Sequence, residues 1–170
     1  MNPVETSRFV LREITLEDVT DSYLSWLNHP ATRRFITSAG QTHTLQDLRA
    51  YVQSRVGRSD VLFLGIFEKL SGRHIGNIKF EPIDDVEGYA VMGMLIGERN
   101  WQGRGVSSEV LDAALRAIFE LRGVGEFVLG VEVENAAAVR AYERNGFRIQ
   151  ETDRIAVNPS SAVSMVRRIG

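Results

Sequence analysis

The sequence predicts an α/β domain: a mixed, mostly antiparallel sheet with one parallel crossover, flanked by about four helices. Three observations predict it. Short β-prone runs alternate with segments of helical period along the 170 residues. A helical stripe over 106–121, apolar at Val106, Val110, Ala114, Ile118 and Leu121, stands between two strand-like runs, as a crossover between parallel strands requires. No repeat, low-complexity tract or Pro/Gly/Ser-rich linker divides the chain, so a single domain over residues 1–170 is expected.

Taken in order, residues 8–14 read as a first strand. Thr15 with Asp18 three positions later has the spacing of a capping box that opens a helix, and Pro30 closes that region. Thr44 with Asp47 repeats the signal, and Leu45, Leu48 and Val52 supply the apolar stripe of a second helix. Residues 61–68 and 74–81, joined by a turn with Ser71 and Gly72, form a hairpin that Pro82 ends. The acidic loop 84–88 leads to a strand over 89–97, then the crossover helix, a strand over 127–133 and a helix over 135–144 closed by Asn145-Gly146. Strands over 147–151 and 162–169 complete the sheet.

Composition narrows the function. Hydrophobic residues are 44% and charged residues 25%, the balance of an ordinary globular core and surface. A formal net charge of -2 argues against nucleic acid or an anionic membrane as partner. No apolar run reaches a membrane span, and residues 1–7 lack the basic and apolar regions of a signal peptide, so a cytoplasmic location is expected. With no cysteine there is no thiol nucleophile, and the three histidines, His29, His43 and His74, have no metal-ligand spacing, so no metal is expected.

The most informative stretch is Asn100-Trp101-Gln102-Gly103-Arg104-Gly105-Val106-Ser107-Ser108, which joins a strand to the long helix. First-turn N–H groups without intrahelical partners, the helix dipole and the side chain of Arg104 all favour a bound pyrophosphate there. Glycines let the backbone curl close to the anion. A Walker loop is excluded because Gly-Lys-Ser/Thr is absent, and a dinucleotide fingerprint because Ser108 stands at its third glycine and Glu126 precedes the next strand.

Gln102-Gly103-Arg104-Gly105-Val106-Ser107 resembles the acyl-CoA pyrophosphate loop of the GNAT acyltransferases, with Ser107 where the family usually has Gly or Ala. A second stretch is similar to the family's later signature: Asn135, a small-residue helix, Tyr142, then Gly146-Phe147. Asn135 is suited to cap that helix, and Tyr142 follows two turns later on nearly the same face. The resemblance spans nearly the whole chain. It implies the GNAT fold and an N-acetyltransferase that uses acetyl-CoA as cosubstrate and an amine as acceptor, by direct attack in a ternary complex. The missing cysteine agrees with direct attack.

By the resemblance, Gln102, Gly103, Arg104, Gly105, Val106, Ser107 and Ser108 hold the pyrophosphate, and Asn135 and Tyr142 also contact the cofactor. Met94, Leu95 and Ile96 belong to a splayed strand along the pantetheine arm whose amides serve the thioester oxygen. Tyr142 is the expected acid, or hydrogen-bond donor, for the leaving thiolate. No residue is assigned as base: Glu81, Glu87 and Glu132 are candidates by position, each read more readily as a solvated surface carboxylate than as a base, and relatives' glutamate two residues before Glu132 is here Gly130. His74 reads as structural, and His29, in Asn28-His29-Pro30, as a residue that could line the acceptor site.

The segment 23–30 with Arg33-Arg34-Phe35 resembles the opening of Rim-type acetyltransferases and of enzymes that acetylate nucleotide-linked amino sugars. The hairpin segment 72–79 leans toward the small-molecule branch. The acceptor pocket is expected from residues 28–37 and 153–161. An N-terminal protein acetyltransferase, a non-catalytic acyl-CoA-binding module and a nucleotide-binding interaction domain are the alternatives. A homodimer stays open.

Overall fold

A computed structural model describes residues 1–35 and 42–170. Its strands are β1 (Val4–Glu5), β2 (Phe9–Glu13), β3 (Leu62–Glu68), β4 (His74–Asp84), β5 (Tyr89–Ile96), β6 (Glu126–Glu132), β7 (Arg148–Ile149) and β8 (Ala162–Arg168). Its helices are α1 (Asp21–Asn28), the single turn α2 (Pro30–Arg33), α3 (Leu45–Gln53), α4 (Val106–Arg122) and α5 (Ala136–Arg144). The strands form one sheet in the order β1-β2-β3-β4-β5-β6-β8-β7. All neighbours are antiparallel except β5 and β6, which α4 connects in parallel as expected. No helix among the described residues is long and apolar enough to cross a membrane.

The two faces of the sheet are covered separately. On one face, α4 buries Val106, Val110, Leu111, Ala114, Leu115 and Ile118 against Phe9, Leu64, Phe80 and Phe127, and α5 adds Tyr142. On the other, α1 and α3 bury Tyr23, Trp26, Leu48 and Val52 against Ile14, Val61 and Phe63. Alternation along β5 divides its residues: Met94 and Ile96 pack toward α4 and α5, and Leu95 toward α1.

Several expectations need correcting. The Thr15–Asp18 capping box forms, but it closes a 3-10 turn over Leu16–Asp18, and α1 starts later, capped by Thr20. Pro30 does not close the region; it is the first residue of α2, where its missing N–H costs nothing. Pro82 does not end its strand either. β4 continues to Asp84 because the ladder shifts register between Phe80 and Ile83, so Pro82 sits where no N–H is required. Leu121 is 60% exposed; Leu111 and Leu115 complete the buried stripe instead. The strand expected over 147–151 shrinks to the two residues of β7.

Candidate active site

The site begins where β5 and β6 part. Their parallel pairing holds for only three residues, Tyr89, Ala90 and Val91 against Glu126, Phe127 and Val128. Beyond that, β5 pairs only with β4, and the rest of β6 only with β8. A wedge therefore opens beside Met94, Leu95 and Ile96 on one side and Leu129 to Glu132 on the other, leaving backbone N–H and C=O groups of both strands without a ladder partner.

Tyr142 lies at this wedge. It is 8% exposed on α5, its ring meets Phe147 edge-on at 5.6 Å, and its hydroxyl reaches the Met94 backbone. Burial pushes the phenol up to about 12, against the opposing pull of the Met94 backbone. The tyrosine is thus neutral at physiological pH and holds a proton beside a free strand edge.

The glycine turn stands at the same end of β5. Gly103 and Gly105 have φ of +71° and +72°, a region a side chain would strain. Gly105 is also the N-cap of the 17-residue α4 and has no side chain to satisfy the first-turn amides, so Val106, Ser107 and Ser108 present theirs outward. The turn is tied down from behind: Glu109 accepts from the Arg8 N–H at 2.6 Å, from its Nε at 2.7 Å and from the Thr6 hydroxyl at 2.7 Å. Arg8 in turn donates to the Arg104 carbonyl. Arg104 lies over the Trp101 ring at 4.4 Å, and Gln102 donates to the Ile96 carbonyl at 2.9 Å. Backbone dipoles, a rigid mount and a guanidinium fit a pyrophosphate.

Asn135 caps α5 through its Oδ1, which accepts the Ala138 N–H at 3.3 Å. At the other end of α5, Asn145 donates to the Ser108 hydroxyl, so both motif segments meet over the wedge. The structure thus brings together the start of α4, Met94 and Tyr142 on the α4 and α5 side, with the Leu95 side chain on the opposite face and Asn135 at the start of α5.

The three candidate carboxylates separate. Glu81 accepts from Lys79 Nζ and Arg55 Nε, both at 2.8 Å, and from Arg58 at 3.2 Å. Burial would raise its carboxyl, but Lys79 and Arg55 outweigh that and hold it low, so it is a structural ion cluster and no base. Glu87 sits at the closed end of the β5–β6 pair, beside Arg154, next to Gly88, whose carbonyl takes the Gly125 and Glu126 amides. Glu132 ends β6 at the open side of the wedge, half-buried, and its neighbour Val131 packs into the α4 core, which turns Glu132 toward α1. Among the described residues its carboxylate has no hydrogen bond or ion pair.

His74 is structural, as expected. Its ring packs against Tyr23, Trp26 and Phe67, and Nε2 bonds the Gly76 carbonyl and Asn77 Oδ1. His29 lines a cavity of about 270 Å³ with Ser25, Trp26, Thr32, Arg99 and Gln102. The expected acceptor segment 28–37 is described only through Phe35, so Ile36 and Thr37 lie outside the described residues. The other expected segment does reach the wedge, since a side chain at Gly130 would meet Val157 at 3.0 Å and Ile155 at 3.5 Å. Sequence reasoning missed Arg99, Arg8 and Glu109. Arg99 is one residue from the glycine motif and legible as a charge beside it; nothing in the spacing ties Arg8 to Glu109.

Comparison with known proteins places this geometry. Residues 8–148 match the acetyltransferase (GNAT) domain family. The sequence is 29% identical over 89 residues to N-alpha-acetyltransferase 30 of Saccharomyces cerevisiae, covering 52% of the chain and 50% of that protein. The chain spans half the length or less of the curated relatives it matches. Among solved structures, the acetyltransferase from Salmonella typhimurium that modifies the N-terminal serine of ribosomal protein L7/L12 superposes with a TM-score of 0.83, at 20% identity over 99% of this chain and 100% of that one. Spermidine N-acetyltransferase from Vibrio cholerae, solved with CoA and spermine, gives 0.79 at 18% identity over 95% and 96%. At these identities the two structures establish the shared fold.

Proposed function

The chain belongs to the GNAT acetyltransferase family, and from that premise we propose that it moves the acetyl group of acetyl-CoA directly onto a primary amine. The observation that carries this reading is the wedge between β5 and β6, spanned by the Tyr142 hydroxyl at Met94, with the glycine turn at its mouth.

In this mechanism the turn holds the pyrophosphate through the amides at Gly103 to Ser108 and through Arg104, and Asn135 and Tyr142 line the arm. The amine nitrogen attacks the thioester carbonyl carbon, forming the C–N bond and leaving a tetrahedral oxyanion. Free amides of the β5 edge donate to that oxygen. The C–S bond then breaks and coenzyme A leaves as thiolate. Tyr142, with its pKa about 12 against roughly 8.5 for a thiol, would lose several kcal/mol by giving up its proton fully, so it stabilises the thiolate by hydrogen bonding. The amine proton leaves toward Glu132 by way of water, that carboxylate being free and at the open side of the wedge.

The acceptor in this reading is a small molecule such as a nucleotide-linked amino sugar. N-terminal peptides form the second candidate class, favoured by the names of two similar proteins, both N-terminal acetyltransferases. Thiol release from acetyl-CoA across amino-sugar nucleotides, N-terminal peptides and polyamines tests all of this, with no background from the cysteine-free protein. Rapid release with one class identifies the acceptor, and Tyr142→Phe is expected to lower kcat by 10- to 100-fold with little change in acetyl-CoA affinity. Silence across the panel together with no binding of acetyl-CoA would sink the proposal.

A further inference from the structure

We infer that the cavity between α1 and the segment entering the glycine turn binds an anionic oxygen group, a phosphate or a carboxylate, carried by the acceptor. The inference rests on the acetyl-transfer reading and narrows its acceptor class.

The argument starts from His29. Its Nδ1 takes the Ala31 N–H at 3.2 Å, and its Nε2 lies 2.8 Å from Arg99 Nη1. A neutral imidazole has one lone pair and one N–H. Two donors therefore face a ring that can accept only one of them. In either tautomer, a ring N–H is left pointing at another donor, and that N–H has no acceptor among the described residues. Arg99 makes no ion pair among the described residues, although it is a permanent cation on the rim of a cavity. An oxyanion placed between Arg99 and His29 resolves both deficits, since it accepts from the guanidinium and from Nε2–H while Nδ1 keeps the Ala31 bond.

The rest of the lining suits this occupant. Thr32 supplies a hydroxyl and Asn100 an amide, while the Ser25 hydroxyl and one N–H of the Gln102 amide are already given to the Ser22 and Ile96 carbonyls. One carboxylate, that of Glu98, also lines the cavity; its Oε1 is taken up by the Ser22 hydroxyl at 3.1 Å and the Trp26 indole N–H at 3.2 Å, turned toward α1. Gln102, expected at the pyrophosphate, borders the cavity with its side chain turned to the Ile96 carbonyl, and the place of the cavity selects the acceptor over the cofactor. Its floor is Trp26, buried in the core beneath α1, and Gly97, against which a side chain would meet that indole at 1.9 Å. The turn's helix and Tyr142 belong to the opposite face. A cofactor arriving from the α4 and α5 side leaves the α1 side for the amine, and Gly97 follows directly on the diverging end of β5.

The test uses matched acceptors, glucosamine against glucosamine 6-phosphate and ethanolamine against phosphoethanolamine, in the thiol-release assay. The wild-type chain is expected to favour the phosphorylated member of each pair. Arg99→Gln should cut that preference at least ten-fold, and His29→Asn, which keeps the capping oxygen for α2, several-fold. A preference unchanged in Arg99→Gln overturns the inference, as does a loss that falls on acetyl-CoA affinity instead. In parallel, inorganic phosphate is titrated into the CoA-saturated chain and followed on the His29 ring nitrogens by NMR. Saturable shifts that vanish in Arg99→Gln support the subsite, and their absence in wild type sinks it. A chain that releases no thiol with any amine would end the transfer reading, with the phosphate titration still deciding on the cavity.

Discussion

The two faces of the sheet are built by different rules. The α4 and α5 face is an aliphatic and aromatic core in which Phe9, Leu111, Leu115 and Phe127 are fully buried, and its ligand-facing groups are mostly backbone: the β5 edge, the turn and the start of α4. The α1 and α3 face has a smaller core and carries polar side chains at its margin, with His74 on Asn77, Trp26 on Glu98, and Glu81 within its three cations. The contrast teaches a division of labour. In the proposed transfer, a long anionic cofactor is held by amides that any sequence of the right shape supplies, which suits the dense face. The acceptor is then chosen by side chains, which suits the face that keeps room and charge.

Three experiments would break or sharpen this contrast, the largest effect first. Leu115→Ala, in the dense core, should cost about 4–5 kcal/mol, whereas Leu48→Ala, in the smaller cluster, should cost about 2–3 kcal/mol. Urea unfolding of both variants measures the difference; equal losses would show that the faces do not differ in packing. Gly105→Ala comes next. Its φ of +72° makes a side chain strained by about 1–2 kcal/mol, and acetyl-CoA affinity should fall at least ten-fold, because the helix entry must shift. Calorimetric titration with acetyl-CoA checks it, and unchanged affinity would remove the turn from the cofactor site.

The smallest effect belongs to the α1 face. Burial holds the His74 imidazole below its ordinary value, against the opposite pull of Asn77 and Gly76. As pH falls through about 6.5, the unfolded chain takes up a proton that the folded ring refuses. The unfolded state then binds more protons, so stability drops with falling pH in a window above that of the carboxylates. Thermal midpoints between about pH 7 and pH 5.5 should decline in the wild type and stay level in His74→Gln. A level wild-type profile would mean that the ring is protonated in place.

Legibility in the sequence follows the same division. The turn, the Asn135 cap and Tyr142 could be read because each depends on neighbours within one or two helical turns. Which candidate carboxylate is free of ion pairs could not. Glu81 and Glu132 look alike in sequence, and only the meeting of Arg55, Arg58 and Lys79 around one of them distinguishes the pair. The end of β4 was misread at Pro82 for a related reason, since a register shift against β5 accommodates the missing N–H.

The sequence by itself determined the element types, the parallel crossover and the glycine entry of α4, because hydrophobic period, capping side chains and positive-φ positions are local properties of the chain. Only the tertiary structure decided that β5 and β6 separate after three paired residues, that Tyr142 reaches Met94 across the gap, and that His29 meets Arg99, seventy residues away. Those are distances between parts of the chain that no local rule connects, set by how two cores of unequal size settle on opposite sides of one sheet.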